Sequence, residues 1–209
     1  DVKNTDELKS ICNALEDISS NVDIAGCASL GTLSYESAKM LKESGLKRYH
    51  HNLETAESFF PEICTTHSYE ERIKTVKIAK EAGFEVCCGG IFGIGETPQQ
   101  RLEFAFTLKE LDVDSIPLNF LNPITGTPLE NAPAIPPMEI LKIIAMFRFV
   151  HPTKDIRVCG GRQTNLRGVQ PLMYIAGANG IMIGNYLTTA GGDPNEDLQL
   201  IEDLMLSIR

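Results

Sequence analysis

Phe84-Glu85-Val86-Cys87-Cys88-Gly89-Gly90-Ile91-Phe92-Gly93-Ile94-Gly95-Glu96-Thr97-Pro98-Gln99-Gln100 carries a strand, a glycine-rich turn and the start of a helix in one run. Phe84 to Phe92 is very apolar and reads as a strand. Thr97 then opens a helix. Pro98 takes the first helical position, where its missing N–H costs nothing, and Gln100 completes a capping box with Thr97. Strand, turn and capped helix make one βα unit, and the same order recurs on both sides of it.

Upstream, Val22 to Ser29 and Lys47 to Asn52 read as strands. Ser34 to Ser44 is a helix stopped by Gly45, and a second helix opens on the Ser68/Glu71 capping box and closes at Gly83. Downstream, Val113 to Asn119 is a fourth strand. A proline-rich connection leads to a helix from about Pro137 to Val150, with Ile140, Ile143, Ile144 and Phe147 on one stripe and Pro152 beyond its end. Asp155 to Cys159 and Gly180 to Ile183 are the fifth and sixth strands, with a helix near Thr164 to Ile175 between them. Asp193-Pro194-Asn195-Glu196 opens a last helix that ends near Ile208.

Strict alternation of six such units predicts a parallel sheet covered by helices. Residues 4–19 form one more helix, with Leu8, Ile11, Leu15 and Ile18 on one face and no strand before it. The chain therefore reads as starting part-way through a βα series. Two further units would make eight, so the expected fold is α/β: a (β/α)8 TIM-type barrel of which about six units are here, in one partial domain over 1–209. An open Rossmann-like sheet is the competing geometry. It would carry a glycine-rich turn straight after its first strand, and Cys27-Ala28-Ser29-Leu30-Gly31 is not one.

Composition narrows the function. The 209 residues are 43% hydrophobic and 22% charged, the balance of an ordinary globular domain. A formal charge of −9, with no basic block, argues against nucleic acid or anionic membrane as partner. No apolar stretch approaches a membrane span and no secretion signal opens the chain, so a cytoplasmic protein is expected. The 6 cysteines, at 12, 27, 64, 87, 88 and 159, show no C-x-x-C and no zinc-ligand spacing. Spread through such a chain, they are core thiols or metal ligands.

Barrel chemistry sits at the C-terminal ends of the strands, on inward side chains, and strand parity sorts those from the rest. His50, Asn52 and Glu54 share one face of the second strand, with His51 opposite. Ser115 and Asn119 share a face of the fourth strand, and Arg157 and Cys159 one of the fifth. Cys87 and Cys88 point opposite ways unless the strand bulges. Cys27, Cys87, Arg157, Asn52, Glu54 and Asn119 would together make a polar mouth, costly to bury without partners or function. Thiolates meeting there from different strands favour a soft metal or an iron–sulfur centre.

These residues carry a resemblance. Gly26-Cys27 with Leu30-Gly31-Thr32-Leu33, Tyr49 to Thr55, Val86 to Ile91, Gly93 to Thr97, Ile116 to Asn119, Gly126 to Leu129, Ile156 to Arg162 and Ala176 to Asn179 resemble, in order, motifs of the C-terminal two-thirds of biotin synthase, a radical S-adenosylmethionine family. The resemblance implies sulfur insertion that converts dethiobiotin to biotin. S-adenosylmethionine is cleaved by a 4Fe–4S cluster, and an auxiliary iron–sulfur cluster, 2Fe–2S in the family, donates the sulfur. Cys27 and Cys87 match two of three auxiliary-cluster cysteines, and Arg157 its fourth ligand. Asn52 and Glu54 match positions near the S-adenosylmethionine ribose. Gly90, Ile91, Gly93 and Glu96 lie in the G-x-I-x-G-x-x-E pattern along its adenosine. His50 and Asn119 match substrate contacts.

Departures from the family qualify this picture. Glu54 stands where the family commonly has Asp, and His50 where it has Asn. Cys88 and Cys159 are extra thiols beside ligand positions and stand as further candidate ligands, so an auxiliary cluster of another type stays open. The C-x-x-x-C-x-x-C loop and the third auxiliary cysteine are not in this sequence, and the 209 residues alone are expected to be inactive. The implied partners are dethiobiotin, an electron donor such as flavodoxin or ferredoxin, and a second copy in a homodimer, the last also suggested by open sheet edges. Two alternatives remain: a radical enzyme of the hydrogenase-maturation or methylornithine-synthase type, and a non-catalytic barrel fragment.

Overall fold

The computed structural model describes residues 2, 4–186 and 191–208. Its strands are β1 (Cys27–Ala28), β2 (Arg48–His50), β3 (Glu85–Cys87), β4 (Gly90–Phe92), β5 (Ser115–Phe120), β6 (Asp155–Val158) and β7 (Gly180–Ile181). They form one seven-stranded sheet in the order β1-β2-β3-β5-β6-β7, with β4 beside β5. The pairs β1–β2, β2–β3, β3–β5 and β6–β7 are parallel, as alternation with helices requires. The main helices are α1 (Thr5–Asn21), α2 (Tyr35–Glu43), α3 (Phe60–Ile63), α4 (Tyr69–Glu81), α5 (Pro98–Glu110), α6 (Pro137–Val150), α7 (Arg162–Leu166), α8 (Leu172–Ile175) and α9 (Pro194–Asp203).

Contacts divide the chain into two compact units, Asp1–Gly90 with Glu103–Ile116, and Ile91–Leu102 with Pro117–Arg209. In the first, Leu41, Leu46, Tyr49, Leu53, Val76, Val86 and Leu108 are buried between strands and helices. In the second, Phe92 packs its ring 5.9 Å from Phe120 and 5.5 Å from Phe147, over a stripe of Ile140, Ile143 and Ile144 on α6.

The expected caps form. Ser68 and Glu71 exchange both capping-box hydrogen bonds at the start of α4. At α5, the Thr97 N–H donates to Gln100 at 2.8 Å and the Gln100 N–H to the Thr97 hydroxyl at 3.2 Å. Such pairs satisfy amides that the first helical turn leaves without partners.

Other expectations are corrected. The strand expected over 22–29 is only Cys27–Ala28: among the described residues β1 pairs with β2 alone, and Val22 and Ile24 stand exposed. The helix expected over 164–175 is broken into α7, a 3-10 turn at Arg167–Val169 and α8. Arg167 sits at φ 50°, and Pro171, which lacks an N–H, follows. α9 stops at Asp203 rather than near Ile208, with Met205 at φ 53°.

The apolar run from Phe84 to Phe92 is two strands, not one. Cys88 and Gly89 leave the ladder between β3 and β4: the Cys88 N–H donates to the Ser115 carbonyl, while the Gly89 carbonyl accepts from Leu53 and Glu54. The interruption gives seven strands instead of six, and ties the end of β3 to the turn after β2.

Candidate functional site

In the first unit the ladder register sets the site. Cys27 pairs with Arg48 and Arg48 with Glu85, while His50 pairs with Cys87 two residues further on. Cross-strand partners project to the same face and faces alternate along a strand. Cys27, Arg48, Glu85, His50 and Cys87 therefore share one face. Tyr49 and Val86 take the other, where both are fully buried and the Tyr49 hydroxyl donates to the Gly31 carbonyl at 2.8 Å. Cys27 is exposed and Cys87 buried. Two thiols on one face, flanked by a guanidinium, are soft donors of the kind an iron–sulfur group takes. Among the described residues, no three His, Cys, Asp or Glu gather into a metal-binding group.

Cys88 is fully buried, and burial pushes its thiol pKa well up.

Strand parity does not reach Asn52 and Glu54, because β2 ends at His50. They sit on the following turn, where Glu54 takes φ 72°. The Asn52 side-chain carbonyl accepts from Gly89 N–H at 3.0 Å, and its amide lies 3.5 Å from a Glu54 carboxylate oxygen. Burial raises the Glu54 carboxyl pKa, against the pull of Arg72 and the Asn52 amide. Gly90 has a role no other residue can fill: a Cβ there would run into the Glu54 carbonyl and come within 2.9 Å of the Phe104 ring. A half-buried carboxylate beside an amide fits a ribose diol, whose two hydroxyls need acceptors.

Sequence reading missed Arg72. From α4 it donates to the Asn52 carbonyl at 2.8 Å and to His67 Nε2 at 2.9 Å, and lies 3.5 Å from Glu54. Its signal was a lone arginine on the face of α4 that packs toward the strands. Arg48 was missed as well, although it stands two residues before His50 and so shares its face.

In the second unit, Ile91 is half-buried on β4 and Gly93 sits at φ 88°. The Glu96 carboxylate turns back on its own loop. It accepts from the Gly93 and Ile94 N–H groups, each at 3.0 Å, and from Arg101 Nε at 2.8 Å. Arg101 also bonds Glu139 on α6 at 3.0 Å. Glu96 thus shapes the loop before α5. Asn119, the last residue but one of β5, accepts from Gly160 N–H at 2.9 Å with its side-chain carbonyl. Arg157 pairs with Gly180, and a Cβ on that glycine would lie 2.9 Å from the Arg157 side chain. Cys159 is buried just past β6, where its carbonyl accepts from the Tyr186 hydroxyl at 3.0 Å.

The model of the Radical SAM superfamily matches residues 2–108, just over half of the chain. The chain belongs to the Radical SAM superfamily. Residues 117–207 of this Radical SAM chain match the Biotin and Thiamin Synthesis associated domain. Curated relatives include a biotin synthase of Geobacter sulfurreducens, 59% identical over 98% of this chain and 62% of its own length. Those of Geotalea daltonii and Carboxydothermus hydrogenoformans are 57% and 56% identical, over 99% and 97% of this chain and 63% and 62% of theirs. The Radical SAM chain thus spans a little over three-fifths of the length of these relatives.

Solved structures show the same fold. Methylornithine synthase superposes with a TM-score of 0.81 at 19% identity, over 98% of this chain and 64% of its own. The FeFe-hydrogenase maturase from Carboxydothermus hydrogenoformans does so at 0.77 and 18%, over 96% and 52%. The Radical SAM fold, a parallel α/β sheet of the TIM-barrel class, is the one the alternation predicted. Among the described residues no helix is long and apolar enough to cross a membrane.

Proposed function

We propose that the chain is the larger part of a biotin synthase that converts dethiobiotin to biotin by sulfur insertion. The observation that carries this reading is the shared face of Cys27 and Cys87, two strands apart, in a chain 59% identical to a biotin synthase. When bound, S-adenosylmethionine and the iron–sulfur clusters supply the radical chemistry and the sulfur.

The chain's own residues bind and orient. Cys27 and Cys87, with Arg157, are the proposed ligands of the auxiliary cluster. A neutral or weakly held ligand such as arginine suits a cluster that must give up sulfide. Glu54 and Asn52 accept and donate hydrogen bonds at the ribose of S-adenosylmethionine, while Gly90 and Gly93 offer backbone and Ile91 an apolar side chain along its adenosine, on the loop that Glu96 shapes. His50 and Asn119 present polar groups to the ureido ring of dethiobiotin. Fixing the partners in this way replaces a collision with a preset geometry, the main contribution a protein makes to chemistry carried by cofactors. A low-potential electron donor such as flavodoxin or ferredoxin, a homodimeric state and a cytoplasmic location belong to the same proposal.

The test is anaerobic reconstitution of the full-length enzyme and of its Cys87→Ala variant, with iron and sulfide assays and biotin formation from dethiobiotin. The wild type should hold two clusters and form biotin, and the variant should lose the auxiliary iron and the product together. Two clusters without biotin would move the substrate to another radical reaction. Unchanged iron and biotin in the variant would remove Cys87 from the ligand set.

A further inference from the structure

Arg48 stands at the centre of the thiol face. Cys27 is its direct partner across β1–β2, and Glu85 its partner across β2–β3. Cys87 follows Glu85 by two residues, which puts it on the same face along a diagonal of roughly 8 Å between Cα atoms, given the spacing and rise of parallel strands. A long arginine side chain covers that distance. Its direction is fixed by Glu85, whose one carboxylate oxygen accepts from Nε at 3.1 Å and Nη2 at 2.6 Å. As a surface ion pair this contact would add little stability.

Its electrostatics point beyond the ion pair. Burial works against the Arg48 charge, yet the guanidinium pKa is raised, by the Glu85 hydrogen bond and charge first and then by Cys87 and Cys27. By register this one cation shares its face with both thiols, held by a carboxylate that dilutes its charge. Reduction potentials of iron–sulfur clusters follow net charge and hydrogen bonding around the sulfurs.

We propose that Arg48, oriented by Glu85, is a positioning residue that compensates the thiolates of Cys27 and Cys87 and sets the reduction potential of the auxiliary cluster they hold. The inference rests on the cluster reading above and adds a residue to that site.

The test uses the full-length enzyme, reconstituted anaerobically, with Arg48→Gln, Arg48→Lys and Glu85→Gln. Iron and sulfide content and the auxiliary cluster's midpoint potential are measured by redox titration, without reference to turnover. Removing a positive charge disfavours the more negative, reduced cluster, so Arg48→Gln should shift the potential downward. Arg48→Lys should stay nearer the wild type, and Glu85→Gln should shift the potential upward. If Arg48→Gln holds no auxiliary iron, rescue by Arg48→Lys also supports the role. Potentials unchanged in Arg48→Gln and Glu85→Gln, with iron in place, would overturn the inference alone. A wild type that binds only one cluster would overturn the cluster reading and this role with it.

Discussion

Arg72 on α4 donates from Nη1 to the carbonyl oxygen of Asn52 at 2.8 Å, so a helix side chain holds the turn that follows β2. The same guanidinium partners Glu54 at 3.5 Å. Arg72→Ala removes a charge-assisted bond to backbone and the cation that counters burial at Glu54. The expected results are a loss of about 2 kcal/mol in stability and about tenfold weaker S-adenosylmethionine binding. Thermal melts and calorimetry of the full-length enzyme check both. Reduced stability with unchanged binding would confine Arg72 to packing.

Gly90 marks a closer approach than any side chain allows. In Gly90→Ala the new methyl would strike the Glu54 carbonyl and crowd Phe104 at 2.9 Å, so either the turn or the strand must move. A cost of about 3 kcal/mol is expected from overpacking. Chemical denaturation should show it, and a Gly90→Ala protein within a few tenths of wild type would contradict the backbone contact.

Arg162 is completely buried in the second unit and forks onto Asp197, with Nη1 at 2.7 Å and Nη2 at 2.6 Å from its two oxygens. The pair ties α9 to α7. Asp197→Ala leaves a buried charge uncompensated, so a loss of about 3–5 kcal/mol is expected. Replacing both partners, as Arg162→Met with Asp197→Leu, should recover part of it. The comparison of the single and double variants in one denaturation series decides whether charge or packing is responsible.

His51 is buried with Nε2 unpartnered, and its imidazole is lowered from 6.5 to about 4 by burial first, then by Arg72, His50 and His67. Between these values the unfolded chain binds a proton that the folded chain does not. Its contribution is therefore complete above pH 6.5 and falls as the pH drops toward 4, by about 3 kcal/mol at most. His51→Gln should flatten that part of the pH–stability profile, measured by melts from pH 7 to pH 4. An equally steep profile would place the proton uptake elsewhere.

Local signals were legible where they were self-contained. The stripe of Ile140, Ile143, Ile144 and Phe147 between two prolines fixed α6 to its observed ends, and both capping boxes formed as spaced. What required a neighbour was hidden. Whether Val22 to Gly26 joins a ladder depends on a strand to pair with, and Cys88-Gly89 leaves its ladder for partners at Ser115, Leu53 and Glu54. Parity put His50, Asn52 and Glu54 on one face, but β2 ends at His50, so the rule was carried past the strand end. Arg48 and Arg72 escaped notice because a charged residue on an exposed pattern looks like solvent-facing surface until register and helix packing bring it to a thiol or a carboxylate.

The loop that Glu96 closes has a consequence for nucleotide choice. Glycine-rich turns ahead of a helix commonly seize phosphate, because their N–H groups and the helix end both favour negative charge. Here the Gly93 and Ile94 amides already hold a carboxylate from the same chain. A phosphorylated adenosine arriving at this turn would find these donors already taken by a carboxylate that is itself paired with Arg101. Under the assignment proposed above, the turn would therefore favour an adenosine whose other end is a cationic sulfonium over nucleoside phosphates such as ATP.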